Sequence, residues 1–172
     1  LSKAISAYPY DGFYRAQVEL AIQDNRNIIA TQTKDQEALK SAYLKNAQLA
    51  VDAGLNAVKS NPQNYQNYVS LGRAYELVVP FDKEGGFDHA KKSYTEAVRL
   101  YPDNPYLYLM LARLESSAGT RNGVREQLTE ALRKKQNFAD ALYLMSQLEA
   151  SESKVDEALN YAIEAIKSAP ND

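Results

Sequence analysis

The feature that most constrains this chain is a pattern written twice, 34 residues apart, between residues 102 and 172. Apolar and small residues recur in kind at this distance: Tyr108, Leu111, Ala131 and Leu132 are followed by Leu142, Met145, Ala165 and Ile166. A fixed period of this length is typical of a stacked array of short structural units rather than of a single compact core. The sequence therefore predicts a repeat architecture.

The same register extends upstream from Tyr65. Large, small and turn-forming residues follow at fixed offsets, namely Tyr68, Leu71, Gly72, Tyr75, Ala90, Tyr94, Ala97 and Pro102. This succession resembles the signature of the tetratricopeptide repeat (TPR). The resemblance implies an all-α fold, a TPR-type right-handed α-solenoid of antiparallel helix pairs. The last two units depart from the signature at Val124, Gln136 and Ser146.

Breaker residues and the register divide the chain into five segments. We interpret residues 1–9 as the remnant of a second helix from a preceding repeat, and residues 10–64 as an elongated, divergent, TPR-like hairpin. Residues 65–104, 105–138 and 139–172 are three repeats, and the first is six residues longer than the others. The excess falls in residues 78–86, where we expect Pro80 to end the first helix and Gly85-Gly86 to form a turn.

The two ends of the array lead to two predictions, one about the length of the parent protein and one about an exposed apolar face. A chain that begins with a helix remnant is expected to be part of a longer protein. After Pro170 no polar helix follows to cover the last repeat. We therefore expect Leu159, Ile163 and Ile166 to present an apolar face partly to water, since solenoid ends need a cap.

Composition argues against several classes of function. The absence of cysteine excludes disulfides, thiol catalysis and Cys-ligated metals, and a net charge of -2 gives no basic stripe for nucleic acid. His89 is the only histidine, and no nucleophile motif, phosphate loop or metal-ligand cluster accompanies it. No apolar run approaches the roughly 20 residues that span a bilayer. We expect no enzyme activity, cofactor, metal, nucleic-acid partner or membrane insertion of this segment; the compartment stays open.

Stacking of helix pairs generates a concave face that is lined by the first helix of each unit. The register places these residues on that face: Gln66, Val69, Arg73 and Glu76; Tyr106, Leu109, Arg113 and Ser116; Asp140, Tyr143, Gln147 and Ala150. In TPR proteins the face commonly takes a peptide or a helix of another chain. The resemblance therefore implies a non-catalytic interaction domain or scaffold that binds a protein partner in this groove.

Two alternatives remain open. Arg73 and Arg113 occupy equivalent positions, and two guanidinium groups on one ridge could bind an acidic or glycan ligand directly. In the opposing interpretation, each arginine pairs with a neighbouring glutamate such as Glu76 or Glu115. The second alternative is an oligomerisation module that makes a weak homo-oligomer through the uncapped solenoid ends.

A second, looser resemblance covers most of the chain. The segment Tyr8-Pro9-Tyr10-Asp11-Gly12-Phe13-Tyr14-Arg15-Ala16, the long hairpin, and Tyr65-Gln66-Asn67-Tyr68 ahead of an enlarged Pro/Gly loop carry it. They resemble the soluble TPR tail of bacterial O-antigen polymerase/ligase-like membrane proteins. This resemblance implies a part in surface-glycan assembly, in which the tail recruits partners or positions the membrane enzyme.

Overall fold

The computed structural model describes residues 10–30 and 35–169, which form eight helices and no strand. The helices are α1 (Asp11–Ala30), α2 (Gln36–Ser60), α3 (Tyr65–Glu76), α4 (Lys83–Leu100), α5 (Pro105–Ala118), α6 (Arg121–Lys134), α7 (Ala139–Ser151) and α8 (Val155–Ser168). The helix remnant predicted for residues 1–9 lies outside the described residues. Within the described ranges, no helix is both long and apolar enough to cross a membrane.

The chain consists of two compact units, residues 1–100 and 101–172. In the first unit α1 packs along α2, α3 packs along α4, and α2 also contacts α3. In the second unit α5 packs along α6, α7 packs along α8, and α6 contacts α7. Each unit therefore contains two helix pairs, and we call α1, α3, α5 and α7 the first helices of these pairs.

Asparagine begins two of the first helices. The Asn64 side-chain oxygen accepts a hydrogen bond from the backbone N–H of Gln66 at 3.1 Å, and Asn104 accepts one from Tyr106 at 3.1 Å. These bonds satisfy N–H groups that have no partner inside the helix. Pro105 occupies the first turn of α5, where its missing N–H is not needed.

The turns after α5 and α7 use the left-handed backbone region. Gly119 ends α5 with a φ of 78°. Ser153, 34 residues later, has a φ of 63° in the turn between α7 and α8. Glycine adopts this conformation without strain, whereas a side chain crowds the backbone.

The connection between α3 and α4 is shorter than predicted. Helix α3 ends before Pro80, at Glu76, and α4 already begins at Lys83, so the prediction that Gly85-Gly86 forms a turn is wrong. Asp82 starts the helix early: its Oδ1 accepts from the Gly85 N–H at 3.0 Å, and its carbonyl accepts from the Gly86 N–H at 2.9 Å. A side chain at position 86 would meet the Val79 backbone nitrogen at 2.7 Å. Glycine is therefore used here for close approach of the backbone, within a helix.

A buried polar network holds three helices of the first unit together. Asn67, which is fully buried, donates its Nδ2 hydrogens to the carbonyls of Ala57 and Asn61 and contacts Asp11 Oδ2 at 3.1 Å. Arg15 Nη1 donates to Asn67 Oδ1 at 2.6 Å and lies 3.0 Å from Asp11 Oδ2. Burial opposes ionisation of Asp11, but hydrogen bonds from the asparagines and the charge of Arg15 lower its pKa.

One buried polar side chain in the first unit lacks such partners. Asn25 in α1 is 1% exposed, and neither its Nδ2 nor its Oδ1 has a hydrogen-bond partner among the described residues. The helix on which it lies also buries Val18, Ala21 and Ile22. An amide buried without partners is a net cost to folding.

We expect Asn25→Leu to raise the free energy of unfolding by about 1–2 kcal/mol, because the leucine removes the unpaired amide and keeps a similar volume. Urea denaturation followed by circular dichroism measures the change. Asn27→Leu is the matched control: it makes the same replacement at an exposed position of α1 and should shift stability by less than about 0.5 kcal/mol. A loss of stability in Asn25→Leu alone would contradict the prediction.

Candidate binding surface on the first helices

In the first unit, the predicted groove residues lie on α3, which contacts α1. Gln66 and Glu76 are exposed, and Val69 and Arg73 are half-buried. The Arg73 Nη1 forms an ion pair with Glu19 Oε1 on α1. An open cleft of about 230 Å³ lies beside this pair and is lined by Ile22, Arg26, Ile29, Arg73, Glu76 and Leu77.

In the second unit, the residues predicted on α5 and α7 are exposed with one exception. Tyr106, Arg113, Tyr143 and Gln147 are exposed, as are Ser116, Asp140 and Ala150. Leu109 is fully buried and belongs to the core cluster that includes Val124 and Leu128 of α6, so its placement on the open face was wrong. Helix α5 buries Leu107, Leu109, Leu111 and Leu114, which point in several directions, because it is packed around most of its circumference.

Both candidate arginines face a carboxylate within their own unit. Arg113 Nη2 lies 3.6 Å from Asp140 Oδ2, and both side chains are about half exposed. Arg73 therefore pairs with Glu19, and Arg113 with Asp140, two carboxylates that the sequence did not point to. These two ion pairs join consecutive first helices, α1 with α3 and α5 with α7.

The glutamates expected as partners have other roles. Glu76 accepts a hydrogen bond from the hydroxyl of Tyr94, and burial together with this carboxylate raises the pKa of Tyr94 well above its ordinary value. Glu115 is buried and accepts from the Thr120 hydroxyl.

Two tyrosines give the surface of the second unit an apolar character. Tyr106 is 52% exposed and Tyr143 is 58% exposed, which confirms the exposure predicted for both rings. The ring of Tyr106 packs edge to face on Phe138, with centroids 4.6 Å apart. Tyr106 is thereby held in place while one face stays open. A rigid ring with a polar tip is well suited to contact a peptide.

A cleft of about 310 Å³ adjoins this surface at the end of α5. It is lined by Ser116, Gly119, Arg121, Val124, Leu144, Gln147, Leu148 and Ser151. Val124, Leu144 and Leu148 supply apolar groups to the lining, and Ser116, Gln147 and Arg121 supply polar ones. Arg121 is exposed and makes no ion pair within the described part of the chain. Arg121 was not predicted from the sequence because it lies on a second helix. It adjoins this surface because the turn at Gly119 places the start of α6 next to the end of α5.

No group of three or more potential metal ligands occurs among residues 10–30 and 35–169. His89 is exposed and stacks on Tyr75 with ring centroids 4.8 Å apart. What the surface offers is aromatic contact area, paired charges and hydrogen-bonding groups, which is the chemistry of binding.

Comparison with known proteins gives a fold and no sequence family. No protein-family model matches the chain, and no curated protein matches it in sequence. Among solved structures, a crystal structure of MamA has a TM-score of 0.64 at 18% identity, over 98% of this chain and 93% of that one. TTC0263, a thermophilic TPR protein of Thermus thermophilus, has a TM-score of 0.66 at 23% identity, over 100% and 91%.

A third structure is YrrB, described as a TPR protein with an unusual peptide-binding site. Its TM-score is 0.53 at 17% identity, over 81% of this chain and 77% of that one. Together these similarities confirm the predicted fold class, an all-α solenoid of TPR type. They do not support the looser resemblance to the tail of O-antigen polymerase/ligase-like proteins.

Proposed function

We propose that this chain is a non-catalytic interaction domain that binds a peptide segment or a helix of a partner protein on its first helices. The observation that carries the proposal is the surface of the second unit. There Tyr106 and Arg113 lie two turns apart on α5, beside Asp140 and Tyr143 on α7. Exposed Tyr and Arg are the residue types enriched at the energetic centres of protein interfaces.

The chemistry of this surface indicates what the partner segment offers. The two tyrosine rings, together with Val124, Leu144 and Leu148 in the lining of the 310 Å³ cleft, favour an apolar or aromatic side chain. Arg121, which also lines the cleft, favours a carboxylate close to that side chain. We therefore propose a segment with an apolar anchor and an adjacent acidic group; the peptide-binding site ascribed to the similar YrrB structure supports this class of partner.

Direct binding of an acidic ligand by Arg73 and Arg113 has less support. Each guanidinium already faces a carboxylate in its own unit, Glu19 or Asp140, and an anion would have to displace it. The part in bacterial surface-glycan assembly stays a prediction of the looser resemblance. Its test is whether the same open reading frame encodes apolar segments of about 20 residues upstream.

Selection from a phage-displayed library of random peptides tests the proposal. We expect selected peptides to shift the amide resonances of α5 and α7 in the labelled protein. Tyr143→Ala and Arg113→Ala should each weaken the best peptide about tenfold, because truncation of an interface Tyr or Arg commonly costs more than 1 kcal/mol. Isothermal titration of each variant measures the loss.

Two exposed positions away from the first helices are the matched controls. Tyr101 is 47% exposed, and Arg99 on α4 forms an exposed ion pair with Glu96, as Arg113 does with Asp140. Tyr101→Ala and Arg99→Ala should leave the affinity within about twofold of the wild type. Peptides that shift only α6 or α8, or that bind all four variants equally, would contradict the proposal.

A further inference from the structure

Helix α8 carries an apolar stripe that the proposed peptide surface does not use. Val155, Leu159, Ile163 and Ile166 are 71%, 57%, 40% and 73% exposed. Their spacing of three or four residues places them on one face of the helix, and Ala165, the buried residue of α8, lies on an adjacent face. Four adjacent exposed aliphatic side chains are typical of an interaction site.

The preceding repeat shows what such a face does when it has a partner. Arg125 and Leu132 of α6 lie 34 residues before Leu159 and Ile166 of α8. In the second unit, Arg125 pairs with Glu149 and Glu152 of the α7 region, and Leu132 is half-buried against a cluster that includes Phe138 and Met145. The equivalent face of α8 is open in the part of the chain that the structure describes. A further helix packed along α8 would cover it.

Two charges identify the helix that fits. Asp156 and Lys167 are exposed, and at 3.6 residues per turn they border the stripe on the same side, near its opposite ends. Neither makes an ion pair within the described residues. A second α8 that runs in the opposite direction would place Val155 opposite Ile166, Leu159 opposite Ile163, and Asp156 opposite Lys167. All three pairings share a centre close to Tyr161, so the face is complementary to itself.

We propose that two copies of this chain form a dimer in which their α8 helices pack antiparallel across a two-fold axis. The contact is isologous, so each pairing occurs twice. Because one helix per copy contributes, the buried area is smaller than that of an obligate dimer, and association is weak. This inference does not depend on peptide binding by the first helices.

Sedimentation equilibrium over a series of protein concentrations tests the proposal. The wild-type mass should rise from monomer toward dimer with concentration. Ile166→Glu should abolish the rise. Asp156→Lys and Lys167→Asp should each weaken the dimer about tenfold, because two attractive pairs become repulsive. The double variant D156K/K167D should recover most of the wild-type affinity, since it restores opposite charges only in the antiparallel arrangement.

Glu164→Lys is the matched control, because Glu164 is exposed on α8 and lies away from the stripe. It changes the charge as Asp156→Lys does and should leave the dimer intact. Circular dichroism establishes that each variant keeps its helical content. A monomeric wild type at every concentration, oligomers that Ile166→Glu does not weaken, or no recovery in the double variant would overturn the proposal.

Discussion

Replacement of Tyr94 by alanine is expected to lower the free energy of unfolding by about 3–5 kcal/mol, the usual range for a buried aromatic residue. Tyr94 on α4 has no exposed surface and is the largest fully buried side chain among the described residues. Its ring fills the space between α3 and α4 and its hydroxyl donates to Glu76. Tyr94→Phe, which keeps the ring, should cost about 1 kcal/mol or less. Urea denaturation followed by circular dichroism measures both.

Gly72 provides a sharper test of the same contact. A Cβ atom at position 72 would lie 2.6 Å from Cε1 of Tyr94, which is closer than real carbon contacts allow. Gly72→Ala should therefore destabilise the wild-type chain by about 2 kcal/mol. In the Tyr94→Ala background the obstacle is gone, and the same change should stabilise by up to about 1 kcal/mol through helix propensity. An effect of the same sign in both backgrounds would contradict this account.

The second large effect is expected at Arg125. Its Nη1 pairs with Oε1 of Glu149, and its Nη2 lies 3.1 Å from Oε2 of Glu149 and 2.9 Å from Glu152. Glu149 is only 4% exposed. Arg125→Met should cost about 2–3 kcal/mol, because it leaves a buried carboxylate whose nearest cation is Lys154 at 3.4 Å. The expected loss lies at or below the low end of the range for removing one partner of a buried ion pair, because Arg125 is partly exposed.

The loss should depend on pH in a defined direction. The hydrogen bonds from Arg125 hold the pKa of Glu149 below its ordinary value of 4.5, against the opposing effect of burial. The wild type gains stability from this pair above pH 4.5 and loses it as the pH falls through the lowered pKa. Arg125→Met lacks this pair, so its stability falls less on acidification. The difference in free energy of unfolding between the wild type and Arg125→Met should therefore narrow as the pH falls from about 6 to about 3.

A double variant separates the buried charge from the packing. In R125M/E149M both partners become apolar side chains of similar size, and most of the lost stability should return. Denaturation midpoints of the wild type and of both variants at each pH complete the measurement. If Arg125→Met were as stable as the wild type at neutral pH, the pair would be a surface contact without energetic weight.

The fold class could be predicted because it depends on a period rather than on any single residue. Gly72 and Tyr94 repeat a small and a large residue at the offsets that bring two helices together, and the structure places them in contact. Pro105 and Gly119 also act locally: one fits a first helical turn, and the other fits a left-handed turn. The conformational preferences of proline and glycine follow from their own covalent geometry, so their effect can be predicted without knowledge of distant contacts.

The errors arose where a contact with another residue, rather than the residue's own conformational preference, decides the structure. The glycines at 85 and 86 look like a loop because glycine is a poor helix former, yet Asp82 caps the helix and Val79 approaches position 86 closely. Leu109 fits the exposed register, but α5 is also covered on that side. The partners of Arg73 and Arg113 lie 54 and 27 positions away, beyond any local spacing rule.

The two left-handed turns of the second unit differ in a way that affects where local unfolding of that unit begins. Gly119 meets the required backbone conformation freely, whereas Ser153 holds the same repeat position at a cost of about 1 kcal/mol. The turn between α7 and α8 is thus strained, whereas the turn between α5 and α6 is not. Transient local unfolding should therefore begin at α8, the helix with the fewest buried side chains in the unit. A partner that packs on the apolar stripe of α8 would therefore also stabilise this helix against local unfolding.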